Sequence, residues 1–355
     1  MRLLIIGIGG FIGSSLTERI VSQKPDWKVY GLDPCFEKIT HLQTHPNLFL
    51  QKGTMADNQD WMKAQLPHVD AVLPLAAIAN PELYVKDPLR VFKLDFEENL
   101  QIIRNCVAFK KHVIFPSTSE VYGMCTDEAY DEDTSLLTTG PIHKERWIYA
   151  SSKQLLDRLI YAYGKHESLS YTLFRPFNWI GAKLDHLTLE GGGQGRSLVQ
   201  FLGRLFQGKD ILITGDGTQR RSFTDIDDAL DALMTIIENY KSVSGQIFNI
   251  GNPKNDISIK DYAEKLKSIV LARPNAPQEA AKSHVRLVAP EKLFGAAYQD
   301  VQRRVPSIQK AQQKLHWQPE TPLEKTLEKI VAYHIERLFG DKTKKEHAKG
   351  STHAA

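Results

Sequence analysis

Tyr149 and Lys153 stand four residues apart, and about thirty residues before them runs Ser117-Thr118-Ser119-Glu120-Val121-Tyr122-Gly123. On a helix, a spacing of four puts two side chains on one face. An ammonium beside a phenol favours the phenolate and draws its pKa from about 10 toward neutrality. Such a base can take the proton of a secondary alcohol while a nicotinamide takes the hydride. Glu120 adds a carboxylate that hydride transfer alone does not require.

A second constellation lies at the start of the chain. Gly7, Gly10 and Gly13 follow an apolar run, Leu3–Ile6, and open a helical pattern. Glycines at this spacing allow a tight turn and let a pyrophosphate rest on the helix N-terminus. Phe11 and Ile12 belong to the same turn. Asp33 falls 20 residues after Gly13, at the end of the next apolar run. A carboxylate there accepts hydrogen bonds from an adenosine ribose and repels a 2′-phosphate, so NAD is expected over NADP.

These residues need a scaffold, and the patterning supplies one. Leu3–Ile6, Lys28–Leu32, Leu48–Gln51, Ala71–Leu75, His112–Phe115 and Tyr171–Phe174 read as strands, alternating with helices such as Ile12–Gln23 and Leu94–Phe109. This rhythm predicts an α/β fold, a doubly wound parallel sheet with helices on both faces. Tyr149 and Lys153 open a helix whose apolar stripe is Leu155, Leu156, Leu159, Ile160 and Tyr163. After Phe177 the rhythm breaks. Gly191–Gly195 reads as a flexible loop and Gly215-Asp216-Gly217 as a hairpin turn. Patterning of the first kind returns at Phe223–Leu230 and Gln246–Ile250, and the last helix spans Leu323–Leu338. The expected organisation is a dinucleotide-binding domain at 1–177 with 223–250 returning to it. A smaller α/β substrate-binding domain is expected from 178–222 and 251–340, with a disordered tail at 341–355.

Composition narrows the classes. With 45 basic and 42 acidic residues among 355, no basic field points to nucleic acid. Cys35, Cys106 and Cys125 are widely spaced and read as inert thiols of a reducing compartment. The 12 histidines show no paired metal-ligand spacing, so no metal is expected. No run of 18 or more apolar residues exists, so no membrane span is expected and the cytoplasm is the expected location.

Taken together, these motifs resemble the extended short-chain dehydrogenase/reductase family, which acts on nucleotide sugars. The resemblance runs from Met1 to about Leu338. The strings LPLAAIANPELY, PLRVFKLDFEENL, FPSTSEVYGMC, RWIYASSKQLLDR, LFRPFNWIG, RSFTDIDDAL, NIGNP and YQDVQRRVPSI are most similar to one branch. That branch is the decarboxylating dehydrogenase domain of bifunctional polymyxin-resistance enzymes, which oxidises UDP-glucuronate at C4 and releases carbon dioxide to leave a UDP-4-keto-pentose. The chain opens on the nucleotide-binding strand, so the partner formyltransferase domain is expected to be absent. A homodimer paired through the Leu94–Phe109 and Lys153–Tyr163 stripes, and a role in lipid A modification, are further implications of the resemblance.

The resemblance also assigns residues. Thr118 or Ser119 would hold the C4 oxygen, Tyr149 would take its proton, and Lys153 would bind the nicotinamide ribose while polarising Tyr149. Ser119 and Glu120 would serve decarboxylation, with Arg304 at the position of a proton donor. Ala79, Tyr84, Arg146, Asn178, Arg196, Arg221 and Tyr298 would line the UDP-sugar.

The chemistry stands without the family. Oxidation at C4 places a ketone β to the C6 carboxylate, and a β-keto acid loses carbon dioxide as electrons flow into an enolate. Thr118, Ser119 and Tyr149 can donate to that oxygen, and Glu120 or Arg304 can deliver or relay the proton to C5. Facing an anionic substrate, Glu120 is expected to have a raised pKa, as suits a proton donor. Arg196, on the glycine-rich segment, is expected to close over substrate.

Three positions depart from the pattern. Gly53-Thr54-Met55 lacks the usual aspartate near adenine, Leu212 replaces a lysine and Asn80 replaces a threonine. The alternatives are a UDP-xylose or UDP-apiose/xylose synthase that reduces the ketone again, a nucleotide-sugar epimerase or dehydratase, and a non-catalytic NAD-sensing scaffold.

Overall fold

The computed structural model describes residues 1–188, 192–193, 195–295 and 297–340. The expected tail at 341–355 and part of the segment 191–195 lie outside the described residues.

Seven strands form one parallel sheet: β1 (Arg2–Ile6), β2 (Lys28–Asp33), β3 (Leu48–Lys52), β4 (Ala71–Pro74), β5 (His112–Pro116), β6 (Tyr171–Pro176) and β7 (Gln246–Ile250). Their order across the sheet is β3-β2-β1-β4-β5-β6-β7. Leu3, Leu4, Ile5, Val72, Leu73, Val113, Ile114 and Phe115 are wholly buried, as a sheet covered by helices on both faces requires. Strand order reverses between β1 and β4, and there the crevice beyond the strand ends opens. The C-terminal ends of β1, β4 and β5 therefore bring Gly7, the 75–80 segment and Ser117–Glu120 to the same edge.

Five helices matter for the site: α1 (Phe11–Gln23), α2 (Asn99–Ala108), α3 (Trp147–Glu167), α4 (Ser197–Phe206) and α5 (Ile226–Glu238). α3 is buried on two sides, Leu156 and Ile160 in the core beside the sheet and Trp147 and Ala150 against Val301, which fixes the direction in which Tyr149 and Lys153 point. The expected single helix over Leu94–Phe109 is instead a π-helical turn, Lys93–Glu98, running into α2. A buried polar residue on the apolar stripe, Asp95, sits in that turn.

The expected hairpin at Gly215–Gly217 is not one. Ile211–Thr214 pairs in parallel with Val285–Val288. Arg220–Ser222 instead joins a separate sheet, between Asp256–Ser258 and Arg303–Arg304. The positive φ of Gly215 and Gly217 turns the chain from one sheet into the other. This second sheet puts Arg221 and Arg304 in register as neighbours. Tyr130 locks the arrangement: its N–H donates to Val305 O, its carbonyl accepts from Ser307 N–H, and its hydroxyl donates to Arg303 O at 2.6 Å.

Candidate active site

The glycine turn has the geometry its sequence predicts. Gly7 adopts φ +87, and a Cβ there would lie 2.7 Å from Ala76 N. A Cβ on Gly13 would lie 2.3 Å from Gly7 O. Gly10 caps α1 without a side-chain hydrogen bond, leaving first-turn N–H groups directed at the cleft. Gly9, which the motif spacing did not single out, is equally constrained: a Cβ would sit 1.9 Å from Cys35 O. Asp33 accepts from Gly9 N–H at 3.0 Å and from Cys35 N–H at 2.9 Å. Burial raises its pKa, and these two bonds together with Lys38 oppose the rise. At the departing position, the Thr54 hydroxyl donates to Asp57 at 2.6 Å.

Tyr149 is buried and stacks on Tyr84, with ring centres 4.7 Å apart and planes within 7°. Thr118 lines the same cleft, its hydroxyl accepting from Glu120 N–H at 3.2 Å. Burial first, then Asp95, push the phenol above its ordinary range, and the Thr118 hydroxyl acts to lower it. Lys153 donates to Pro116 O at 3.1 Å and lies 4.7 Å over the Phe115 ring. The expectation of a lowered Tyr149 pKa is therefore corrected for the protein by itself. The ammonium is spent on the last carbonyl of β5, and burial dominates at the phenol. Lys153 is itself pulled down by burial, against which Asp95 acts.

Asp95 escaped the motif reading, because one aspartate on an apolar stripe has no spacing signature. Its carboxylate accepts from Ile78 N–H at 3.0 Å, and burial pushes it up to about 6 against the pull of Lys153.

Glu120 is the second correction. Its carboxylate meets Arg146 at 2.7 Å through one oxygen and Arg304 at 2.6 Å through the other. Burial acts to raise its pKa, but Arg146 and then Arg304 outweigh it and hold the group at about 2. The expected rise does not occur, because two guanidiniums are nearer than any anion. Glu120 is an ionised carboxylate at neutral pH. Arg146 is packed between the Trp147 ring, 4.5 Å away, and the Tyr298 ring, 5.6 Å away. Arg221 pairs with Asp300 at 2.6 Å and donates to Val301 O at 2.7 Å. Three guanidiniums thus face two carboxylates at this end of the cleft.

Behind these groups runs a buried polar chain that sequence reading also missed. Ser117 donates to Asp157 at 2.7 Å, and Arg175 joins that carboxylate at 3.2 Å. Arg175 also donates to the Tyr122 hydroxyl, which donates on to Asn249 at 2.8 Å. This chain ties β5, α3, β6 and β7 together and fixes the base of the site.

One cleft is lined by Gly7, Gly10, Phe11, Ile12, Gly13, Ala79, Tyr84, Thr118, Ser119, Glu120, Arg146, Tyr149, Lys153, Asn178, Arg196, Arg221, Tyr298 and Arg304. Asn80 and Leu212, two of the departing positions, line it as well. Asn178 takes φ +40 and its amide donates to Ser222 O at 3.0 Å. Arg196 lies apart from the Glu120 cluster, its fork on Asp185. Asp33 stands behind Gly9. The sequence-named residues therefore converge, although several are spent on each other.

The family profile of NAD dependent epimerases and dehydratases matches residues 3–251. The chain belongs to that family. It is an NAD-dependent enzyme of the epimerase/dehydratase type, and the turn at Gly7–Gly13 with Asp33 fits the cofactor. The chain is 42% identical to the PbgP3 protein of Burkholderia pseudomallei, with 94% of this chain and 96% of that one covered at a TM-score of 0.85. It is 23% identical to the UDP-glucuronic acid 4-epimerase of Bacillus cereus, with 95% and 99% covered and a TM-score of 0.79. It is 18% identical to the dTDP-glucose 4,6-dehydratase of Bacillus anthracis, with 94% and 96% covered and a TM-score of 0.75. The last two share the fold. Among the described residues, no helix is long and apolar enough to cross a membrane.

Proposed function

We propose that this family member oxidises UDP-glucuronate at C4 and decarboxylates the product to a UDP-4-keto-pentose. The observation that carries the reading is Glu120, ionised between Arg146 and Arg304, in the same cleft as Tyr149 and Lys153. Reversible C4 oxidation needs only the tyrosine, its lysine and a hydroxyl. A second cluster, with three guanidiniums against two carboxylates, suits a sugar that itself carries a carboxylate beside a diphosphate.

In this reading NAD, when bound, supplies the hydride acceptor. Tyr149, as the phenolate, takes the C4 hydroxyl proton and becomes a neutral phenol, while Thr118, in the same cleft, can hold the C4 oxygen. Lys153, with Asp95 acting against the pull of burial, favours the phenolate once its ammonium turns from the Pro116 carbonyl to the phenol. The C4 ketone then draws the electrons released as the C6 carboxylate departs as carbon dioxide. Ser119 and Thr118 donate to the developing enolate oxygen. Glu120, unprotonated, acts first as the anchor that aims Arg304 and Arg146. Arg304 then steadies the anion at C5 while water delivers a proton there, balanced by the proton Tyr149 took from C4 and passes back to solvent.

The test is incubation with UDP-glucuronate and NAD, followed by absorbance, trapped carbon dioxide and product mass. NADH rising with carbon dioxide in equal amounts, and a keto-pentose nucleotide, are expected. Carbon dioxide without NADH would mean re-reduction to UDP-xylose. A product of unchanged mass would overturn the decarboxylation.

A further inference from the structure

We propose that Asp185 is a built-in competitor for the cofactor's pyrophosphate. It holds Arg196 until the dinucleotide displaces it, and so sets how readily the reduced cofactor leaves. The inference depends on the cofactor and not on the identity of the sugar.

The placement of Arg196 comes first. A dinucleotide on this fold runs from Asp33 at the adenosine end, over the start of α1, to Tyr149 and Lys153 at the nicotinamide end. The Arg196 guanidinium lies 5.9 Å from the ring of Phe11, the first residue of α1. It lines the same cleft as Gly7, Gly10 and Gly13 at the glycine turn and Tyr149 and Lys153 beyond it. A cation in this cleft, beside the first residue of α1, lies near the position a pyrophosphate takes at the helix start.

Asp185 occupies the fork of that guanidinium. Arg196 Nη2 reaches Asp185 Oδ1 at 2.8 Å, Nε reaches Oδ2 at 3.2 Å, and the Arg196 backbone N–H donates to Oδ2 at 2.8 Å. Nη2 also donates to Leu184 O at 3.2 Å. The preceding residue is Gly195 at φ +118, where a Cβ would lie 2.5 Å from Asp185 Oδ2. The backbone can wrap around the carboxylate only because this residue is glycine. Burial works to raise the Asp185 pKa, but Arg196 outweighs it, so the competitor is charged at neutral pH.

Two planar acceptors therefore contend for one guanidinium, a carboxylate in the chain and a pyrophosphate in the ligand. Every bound dinucleotide must break the pair, and every departing one is replaced by it. The apparent affinity is reduced by the fraction of protein in which Arg196 is held. An enzyme that must release NADH each cycle gains from such an exchange, whereas one that reuses its NADH does not.

The test is titration of NADH fluorescence and stopped-flow displacement of NADH, with UDP binding by calorimetry as the second reporter. Asp185→Asn is expected to tighten NADH binding by about tenfold, through slower release, with UDP affinity unchanged. Arg196→Gln is expected to weaken NADH by about tenfold or more, again sparing UDP. In the double variant the Asp185 substitution is expected to have no further effect, since it acts through Arg196. The proposal is overturned if Asp185→Asn binds NADH no tighter, or loses UDP binding too, which would make Asp185 a structural strut. It is equally overturned if Arg196→Gln weakens UDP rather than NADH.

Discussion

Glu120→Gln separates charge from shape at the centre of the proposed site. The carboxylate is held at about 2 against an ordinary 4.5. That difference corresponds to about 3 kcal/mol of folded-state stability at neutral pH. The folded pKa lies below the unfolded one, so the contribution is complete above about pH 4.5 and is lost as pH falls toward 2. Glutamine keeps the size and one acceptor, but leaves Arg146 and Arg304 with no anion between them. Both guanidiniums are buried, so the loss at pH 7 is expected to be at least the full amount. Denaturant unfolding followed by circular dichroism at pH 7.5, 6, 5 and 4 measures it. The gap between parent and variant is expected to hold steady from pH 7.5 to 5. It then narrows by about 1.4 kcal/mol for each pH unit below 4.5, as far as the fold survives. Turnover of UDP-glucuronate is expected to fall by about a hundredfold or more, because Arg304 loses its anchor. A variant as stable as the parent at pH 7 would refute the ionised clamp, and with it the reason for ruling out Glu120 as a protonated donor.

Three further outcomes are expected. Tyr149→Phe should reduce NADH formation by about a thousandfold while NADH fluorescence titration shows cofactor binding intact, and surviving turnover would mean that another group removes the proton. Asp33→Asn should weaken NAD and narrow the preference over NADP, seen as the ratio of kcat/KM values, because the charge that repels a 2′-phosphate is gone while one acceptor remains. Leu155 and Tyr161 are exposed on α3. If the stripe pairs subunits, sedimentation of the parent should give a dimer and Leu155→Glu a monomer, whereas a monomeric parent would remove the analogy.

The glycine turn, Asp33 and the Tyr149–Lys153 pair were legible in the chain because their meaning is local. A turn needing positive φ at Gly7, or two side chains one helical turn apart, is decided by neighbours in sequence. The seven strands were legible for a similar reason, since continuous apolar runs such as Leu3–Ile6 require burial on both faces. Asp95, Gly9 and the Ser117–Asp157–Arg175–Tyr122 chain were not legible. Each is defined by what it meets across the fold, and Asp157 and Arg175 carry no spacing that marks them as partners.

Ionisation followed the same division. Sequence alone established that Glu120, Arg146 and Arg304 are present, and a carboxylate facing an anionic sugar argued for a raised pKa. The second sheet sets Arg304 against Glu120 from 184 positions away, and α3 sets Arg146 on its other side. The resulting field reverses the shift. In the same way, Tyr149 and Lys153 are paired by helical spacing, but burial and then Asp95 govern their charges. Which residues share a cleft can be read from periodicity and turns. Which of them are charged there depends on distance and desolvation, and only the packed chain fixes both.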